Sequence, residues 1–171
     1  MKEKSQIIKI KDIGFVDIDR FLGLFKVSVK TQFPEYPIKT KRFFLEKIYT
    51  KKNLKQWLKK KTVTILIAIS NLEIVGYLIA NPSYGGVSCI VWLAVKDSFQ
   101  KKGIGSALLK KYESIVKKQG VHMTLLLVTN KKNFKFYKKN GYKLGGYIPK
   151  SYFGIDNWWF YKKLQDPKIS F

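Results

Sequence analysis

Apolar residues follow two kinds of spacing along this chain, and the alternation between them predicts a mixed α/β fold. Runs with the apolar and β-branched composition of strands occupy 6–13, 62–69, 73–80, 87–95, 121–128, 142–148 and 157–164. Apolar residues at helical spacing occupy 16–31, 40–48, 50–60, 104–120 and 131–140. We expect Thr40 and Thr50 to cap the starts of the second and third helices, and Asp12 either to cap the first helix or to turn the chain into it. The strand at 121–128 is almost wholly apolar, which predicts burial on both of its faces.

A glycine-bearing turn joins the strand at 87–95 directly to the helix that follows it. The first turn of a helix leaves its N–H groups unpaired and carries the positive end of the helix dipole, so a phosphate can bind there. Gly103 and Gly105 have no Cβ atom to keep a phosphate away, and Lys101 and Lys102 add positive charge. The turn therefore predicts a site for a phosphorylated ligand.

Two spaced motifs narrow the identity of that ligand, although neither a Walker loop nor a dinucleotide-binding fingerprint is present. Residues 93–95 read Leu-Ala-Val, and residues 100–105 read Gln-x-x-Gly-x-Gly. Farther along, Asn130 stands seven residues before Tyr137, which stands four residues before the Gly-Tyr pair at 141–142. In this order the two motifs resemble the acetyl-CoA-binding loop and the downstream Asn, Tyr and Gly-aromatic pattern of the GNAT family of N-acetyltransferases. The resemblance covers roughly residues 63 to 164.

The resemblance implies a fold, an activity and a cofactor. The implied fold is α/β, with a mixed, mostly antiparallel, twisted sheet of about seven strands, helices on both faces and a splayed strand pair that binds acetyl-CoA. We accordingly expect one N-acetyltransferase domain over residues 1–171 that moves an acetyl group from acetyl-CoA directly to a primary amine. The positions expected to hold the cofactor are Leu93, Ala94, Val95, Gln100, Lys101, Lys102, Gly103, Ile104, Gly105, Ser106, Asn130 and Asn133.

Tyr137 is the residue that the resemblance places as the general acid. A phenol, whose unperturbed pKa is about 10, keeps a proton for the departing thiolate at neutral pH. The alternative is that Tyr137 packs under the sheet as an ordinary helix residue. The base is less defined, because many family members carry a glutamate on the central strand where this chain has Cys89. Cys89 is either a thiol relay or, as is usual for a thiol in an apolar strand, inert packing.

The acceptor side of the predicted site involves loops rather than motifs. Two prolines end the first helix and hold the aromatic segment 32–37 in an extended loop. By the resemblance this loop lines the acceptor site, and the alternative is an aromatic plug over the core. The positions expected to contact the acceptor are Phe33, Glu35, Tyr36, Cys89 and Tyr152. The loop residues that could reach the acceptor amine, directly or through water, are Glu35, Tyr36, Tyr84, Tyr152 and Asp156.

The net charge of +23, from 34 basic and 11 acidic residues, is the extreme feature of the composition. Charge of this size attracts polyanions such as RNA, the ribosome or CoA. Nearly all of it is lysine, whereas specific phosphate or base recognition favours arginine, so a solvated lysine-rich surface is the alternative to an anionic partner. The densest basic segment is 51–61. A protein amine, a small amine and an aminoacyl-tRNA all remain open as acceptors, and a second hypothesis is a catalytically weak module of the same fold that binds RNA or the ribosome.

Length and cysteine content bound the remaining classes. With 171 residues, of which 46% are hydrophobic, the chain can bury one substantial core. A single cysteine excludes an internal disulfide, the charged segment 1–5 does not read as a signal peptide, and no apolar run is long enough to span a membrane. We therefore expect a cytoplasmic protein, and we predict no metal site.

Overall fold

The computed structural model describes residues 7–167, so the predictions for 1–5 and for Gln6, at the start of the first strand, lie outside the described residues. The strands in this part of the chain are Lys9–Asp12 (β1), Thr64–Ser70 (β2), Glu73–Ala80 (β3), Val87–Val95 (β4), Met123–Val128 (β5), Lys143–Ile148 (β6) and Asn157–Lys163 (β7). The α-helices are Ile18–Thr31 (α1), Ile38–Phe43 (α2), Lys51–Lys60 (α3), Ile104–Lys118 (α4) and Phe134–Lys139 (α5). None of these helices has the length and apolar character needed to cross a membrane.

The strands form one sheet in the order β1-β2-β3-β4-β5-β7-β6. Every neighbouring pair is antiparallel except β4 and β5, which run parallel because α4 connects them as a crossover. The parallel pairing ends at Ile90 and Leu126, and beyond that point β4 diverges from β5. A mixed, mostly antiparallel sheet with helices on both faces and one splayed strand pair is the predicted fold class, which is confirmed.

Strand β4 contains a β-bulge next to the point where it leaves β5. Two neighbouring residues of β3 pair with Ile90 and Trp92, so Val91 is an extra residue on β4. Because side chains alternate along a strand, one extra residue exchanges the faces of all that follow. Ile90 accordingly packs in the core beside α4, whereas Trp92 packs in the core beneath α1 and α3.

A hydrophobic core lies on each face of the sheet. On one face α4 buries Leu108 and Tyr112 against the strands. On the other face α1 and α3 cover a largely aromatic core, in which the rings of Phe25, Tyr49 and Trp92 contact one another. The indole N–H of Trp92 also donates a hydrogen bond to the Tyr49 phenol oxygen at 2.6 Å. Each fully buried phenylalanine contributes roughly 1.5–3 kcal/mol, so these two cores hold the sheet on which the site is built.

The helix starts decide the three predictions about caps. Thr50 is confirmed, because its hydroxyl accepts a hydrogen bond from the Asn53 N–H at 3.2 Å. Thr40 is wrong, because α2 already begins at Ile38, directly after a proline that supplies a fixed φ. Asp12 is wrong as well, because it is the last residue of β1 and the chain continues extended beyond it.

The predicted burial of β5 on both faces is also wrong. Thr124, Leu126 and Val128 are buried, whereas the residues between them are only half-buried. The physical reason is that the aromatic core beneath α1 and α3 contains no residue of β5, so one face of this strand is covered less completely. An apolar run alone therefore overstated the burial of a strand that borders an opening in the sheet.

Candidate functional site

An open groove of about 590 Å³ lies where β4 and β5 diverge. Its walls come from the end of β4, the turn that leads into α4, the start of α5 and the loop after α1. It brings together these predicted positions, which are distant in the sequence: Phe33, Leu93, Ala94, Val95, Gln100, Lys101, Gly103, Ile104, Gly105, Ser106, Asn130, Asn133 and Tyr137. Lys102 is not part of the wall, because its ammonium group lies over the ring of Phe99, 5.3 Å from the ring centre.

The turn between β4 and α4 carries a row of unpaired backbone N–H groups. The Gln100 N–H donates within the turn to the Asp97 carbonyl at 3.1 Å, and the Ala107 N–H donates to the Gly103 carbonyl at 3.0 Å. Between these two residues, the N–H groups of 101–106 have no protein acceptor within residues 7–167. Consecutive free donors at the positive end of a 15-residue helix are suited to an anion.

The two glycine positions of this turn require glycine for different structural reasons. Gly103 has a φ of 82°, a left-handed conformation that L side chains rarely adopt, and a Cβ placed on it would meet nothing within 4 Å. A Cβ on Gly105 would lie 3.1 Å from the ring of Phe136, which belongs to α5. Gly103 therefore permits the turn and leaves open space above it, and Gly105 permits α4 and α5 to approach each other.

The diverging part of β4 presents backbone groups toward the groove. Directly after β4, the Lys96 N–H donates a hydrogen bond to the Val75 carbonyl of β3 at 2.8 Å. In an antiparallel pair every second residue bonds to the neighbouring strand, so alternate residues of β4 bond to β3. By this alternation Leu93 and Val95 turn their backbone groups to the side that β5 leaves. The Val95 carbonyl accepts hydrogen bonds there from the side-chain amides of Gln32 and Gln100, at 2.9 and 3.1 Å. Gln32, at the end of α1, is a groove residue that no sequence motif marks.

Tyr137 lines both the groove and the smaller cavity between β4 and β5. Its ring contacts those of Phe136, Tyr142 and Phe160, with centroids 5.1 to 6.0 Å apart. Burial raises the pKa of Tyr137 above its ordinary value, so the phenol is protonated at neutral pH. The packed ring and the protonated hydroxyl are compatible with both of the predicted alternatives, because the same residue packs on α5 and borders the groove.

Asn130, the first residue of the second motif, binds a loop carboxylate. Its side-chain N–H donates to Oε1 of Glu35, and its side-chain carbonyl accepts a hydrogen bond from the Lys132 N–H at 3.0 Å. The second bond makes Asn130 the cap of the short helical turn that precedes α5. Oε2 of Glu35 is buried and has no hydrogen-bond partner in the part of the chain that the structure describes. This contact joins residues 95 positions apart, and no motif marks it.

The aromatic loop after α1 divides between the groove and the core. Phe33 lines the groove and contacts Trp92 with ring centroids 4.8 Å apart. Tyr36 packs between Trp92 and Phe153, a residue of the β6–β7 loop that the sequence did not single out. Burial, and secondarily the charge of Glu35, raises the pKa of Tyr36 to about 12, so its phenol is neutral.

The other candidates for acceptor contact lie outside the groove wall. Cys89 is half-buried, and burial raises the pKa of its thiol, which opposes a role as a thiolate relay. Tyr152 and Tyr84 are 59% and 93% exposed. Asp156 is engaged elsewhere, because it accepts a hydrogen bond from the Tyr147 hydroxyl at 2.8 Å. Any contact of these residues with an acceptor stays a prediction.

Comparison with known proteins agrees with the fold. The sequence profile of a family described as acetyltransferase (GNAT) matches residues 29–142. An uncharacterized N-acetyltransferase of Chlorobaculum tepidum is 38% identical over 66 residues, a match that spans 39% of this chain and only 39% of that protein's length.

Solved structures share the architecture over most of their length. The PaiA N-acetyltransferase of Thermoplasma acidophilum, solved in complex with coenzyme A, superposes with a TM-score of 0.78 at 23% identity, over 92% of this chain and 99% of that chain. A probable acetyltransferase of Staphylococcus epidermidis superposes with a TM-score of 0.76 at 15% identity, over 92% and 99% of the two chains. At these identities the likeness establishes the fold alone.

Proposed function

This chain belongs to the acetyltransferase (GNAT) family, and on that premise we propose that it is an acetyl-CoA-dependent N-acetyltransferase that transfers the acetyl group directly to a primary amine. The observation that carries the proposal is the row of unpaired N–H groups at 101–106, which opens α4 beside the groove. A site of this kind is suited to an anionic ligand, and the groove extends from it along β4 toward Tyr137.

The residues present fit acetyl-CoA by their donor chemistry. The N–H row and the adjacent Lys101 supply hydrogen-bond donors and positive charge for a diphosphate. The backbone of Leu93 and the N–H of Val95 face the side that β5 leaves, where they suit the amide-bearing pantetheine arm. Lys132 and Lys139 add positive charge on the opposite wall. Most of these contacts use the main chain, so they depend on the geometry of the turn and the splayed strand.

When bound, acetyl-CoA supplies an acetyl thioester, so that a C–N bond forms as the C–S bond breaks and the sulfur departs as a thiolate that needs a proton. We assign Tyr137 to hold that proton at its phenol oxygen, because the residue lines the groove and burial keeps the phenol protonated. Phe33 and Phe136 form apolar parts of the walls on either side and limit the access of water to this position.

The acceptor class within this proposal includes a protein amine, a small amine and an aminoacyl-tRNA. The alternative, a catalytically weak module that binds RNA or the ribosome, is supported by the lysines of α3, which are exposed along the helix: Lys51, Lys52, Lys55, Lys59 and Lys60. A cytoplasmic location belongs to the same proposal and rests on the single cysteine of the chain.

Isothermal titration calorimetry with acetyl-CoA tests the proposed function. We expect saturable binding with a stoichiometry of one per chain, and release of free CoA thiol when a primary amine is added. The absence of binding heat at submillimolar acetyl-CoA would contradict the proposal, whichever amine is the natural acceptor.

A further inference from the structure

We propose that Glu35 is the group that binds the ammonium end of the acceptor and removes its proton, and that Asn130 is the positioning residue that holds it. This inference rests on the proposed function and supplies the carboxylate that the central strand lacks.

The carboxylate of Glu35 stands without a cationic partner in a protein rich in cations. The chain has 34 lysines and arginines, yet among residues 7–167 no basic side chain pairs with Glu35, while other carboxylates do form ion pairs. Carboxylates that are partly withdrawn from water are normally paired with a cation or hydrogen-bonded, and one oxygen of Glu35 has neither kind of partner within the described residues. A substrate ammonium group is the partner that would complete the site.

The two oxygens of Glu35 are in different states. Oε1 accepts the hydrogen bond from Asn130, whose own carbonyl is fixed by the Lys132 N–H at 3.0 Å, so the amide of Asn130 cannot turn over without losing both bonds. Oε2 is buried and unpaired within the described residues. One oxygen is therefore anchored while the other retains its full capacity to accept a proton or a hydrogen bond.

The surroundings of Glu35 suit an ammonium group and provide no competing base. Phe33, Tyr36 and Trp92 contact one another, with ring centroids 4.8 to 6.3 Å apart, and aromatic faces attract cations. Burial, together with the charge of Glu35, raises the pKa of Tyr36 to about 12, so its neutral phenol cannot take the proton at physiological pH. Burial also raises the pKa of the Cys89 thiol on β4, which keeps the thiol protonated.

Glu35 also lies next to the groove. The residue before it, Pro34, and the residue across from it, Asn130, both line the groove that Tyr137 borders. Glu35 itself is half-buried, so its side chain lies at the surface beside the groove wall and is not sealed in the core. The proposed acid and base thus stand on opposite elements around one groove, α5 and the loop after α1.

Removal of a proton by Glu35 begins the transfer. One N–H bond of the acceptor R–NH3+ breaks, its proton forms an O–H bond with Oε2, and the electron pair stays on nitrogen. Glu35 becomes a neutral carboxylic acid and later returns its proton to water. The second proton that nitrogen loses on becoming an amide replaces the one that the departing sulfur takes from Tyr137.

Two single variants and one pair of probes test the proposal. Glu35→Gln removes the charge and keeps an oxygen for Asn130, and Glu46→Gln removes the same charge from an exposed position on the turn after α2. The probes are 2-phenylethylamine, which carries an ammonium group on an aromatic body, and 2-phenylethanol, which is neutral. Binding of each probe to the protein without cofactor is measured by NMR titration, followed by calorimetry with CoA, the melting midpoint and acetylation of the amine.

We expect Glu35→Gln to weaken binding of the ammonium probe by about thirtyfold or more and to lower kcat/KM by about a hundredfold or more. Binding of the alcohol and of CoA should stay at wild-type values. The melting midpoint should not fall, because no ion pair of Glu35 is lost within the described residues and the glutamine keeps an oxygen for Asn130. Glu46→Gln should match the wild type throughout. The inference is overturned if the wild type does not bind the ammonium probe, or if Glu35→Gln binds and acetylates it as the wild type does. A wild type that binds the ammonium probe but not CoA would instead refute the proposed function and leave Glu35 as an amine site.

Discussion

At the scale of single residues, the contact between Asn130 and Glu35 changes the interpretation of a recognised motif. The resemblance implied that Asn130 contacts the cofactor, and this stays a prediction because Asn130 lines the groove. Its side chain also binds a loop carboxylate and caps the turn before α5. The sequence could not predict this pairing, because the partners are 95 positions apart and neither residue type is unusual in a loop. The sequence did predict that Tyr137 and the glycine turn belong to one site, because each lies in a motif with short-range spacing.

Replacing Tyr137 by phenylalanine removes only the phenol oxygen. We expect kcat to fall by about a hundredfold or more, while the Kd for acetyl-CoA stays unchanged, because the lost group acts on the departing sulfur. Since burial raises the pKa of Tyr137 above its ordinary value, the wild-type rate should not decline on the alkaline side before about pH 10. Steady-state kinetics measured against pH give kcat and its pH dependence, and calorimetry gives the Kd for acetyl-CoA. Full turnover by the variant would assign the proton to another donor.

Replacing Asn130 by alanine separates the two roles given to that residue. If Asn130 positions Glu35, the variant keeps its affinity for acetyl-CoA within about twofold and loses kcat by about tenfold, because the carboxylate is no longer anchored. If Asn130 instead contacts the cofactor, affinity falls first. Calorimetry and kinetics on the same preparation distinguish these outcomes, with Asn81→Ala, an exposed position after β3 outside the groove wall, as the control.

Among the secondary-structure elements, β4 determines the groove. It leaves β5 at Ile90, and its bulge at Val91 exchanges the faces to which the following side chains point. The positions of the strands along the chain followed from the apolar runs, and the class of sheet followed from the resemblance, but the bulge followed from neither. Residues 89–95 are apolar at every position, so they contain no alternation from which a change of phase could be recognised. The same uniformity produced the wrong expectation of burial for β5.

Replacing Gly105 by valine tests the turn at the start of α4. Its Cβ would lie 3.1 Å from the Phe136 ring, so the added side chain pushes α5 away and enters the groove. We expect acetyl-CoA affinity to fall by about tenfold or more, as calorimetry will show, because main-chain donors act only when their geometry is kept. Gly23→Ala is the matched control, since a Cβ there would meet nothing within 4 Å. Equal affinity in both variants would place the cofactor elsewhere.

For the whole molecule, the net charge of +23 concerns which macromolecules the protein binds more than how it transfers an acetyl group. The exposed lysines of α3 lie on a helix that contributes nothing to the groove wall. They are therefore a fair test of whether the charge marks a nucleic-acid site or a generally solvated surface. Composition predicted this alternative but could not decide it, because charge density alone does not show how a partner is bound.

Two triple variants, each lowering the net charge from +23 to +17, compare α3 with another helix. The first variant replaces three lysines of α3 by glutamate: Lys55, Lys59 and Lys60. The second replaces three lysines of α4 by glutamate: Lys110, Lys111 and Lys118. For a solvated surface we expect equal, salt-dependent losses of RNA affinity in filter binding, because only total charge has changed. Acetylation of a small amine should be unaffected in both. A loss confined to the α3 variant would favour the RNA-binding alternative.

We propose that the amides of 101–106 hold the diphosphate of acetyl-CoA in the groove between β4 and β5. A crystal structure of the protein with CoA measures this directly. We expect diphosphate oxygens within hydrogen-bond distance of those N–H groups, with the sulfur beside Tyr137 and on the same side of the groove as the loop that carries Glu35. A diphosphate bound away from these amides, or a sulfur remote from both side chains, would contradict it.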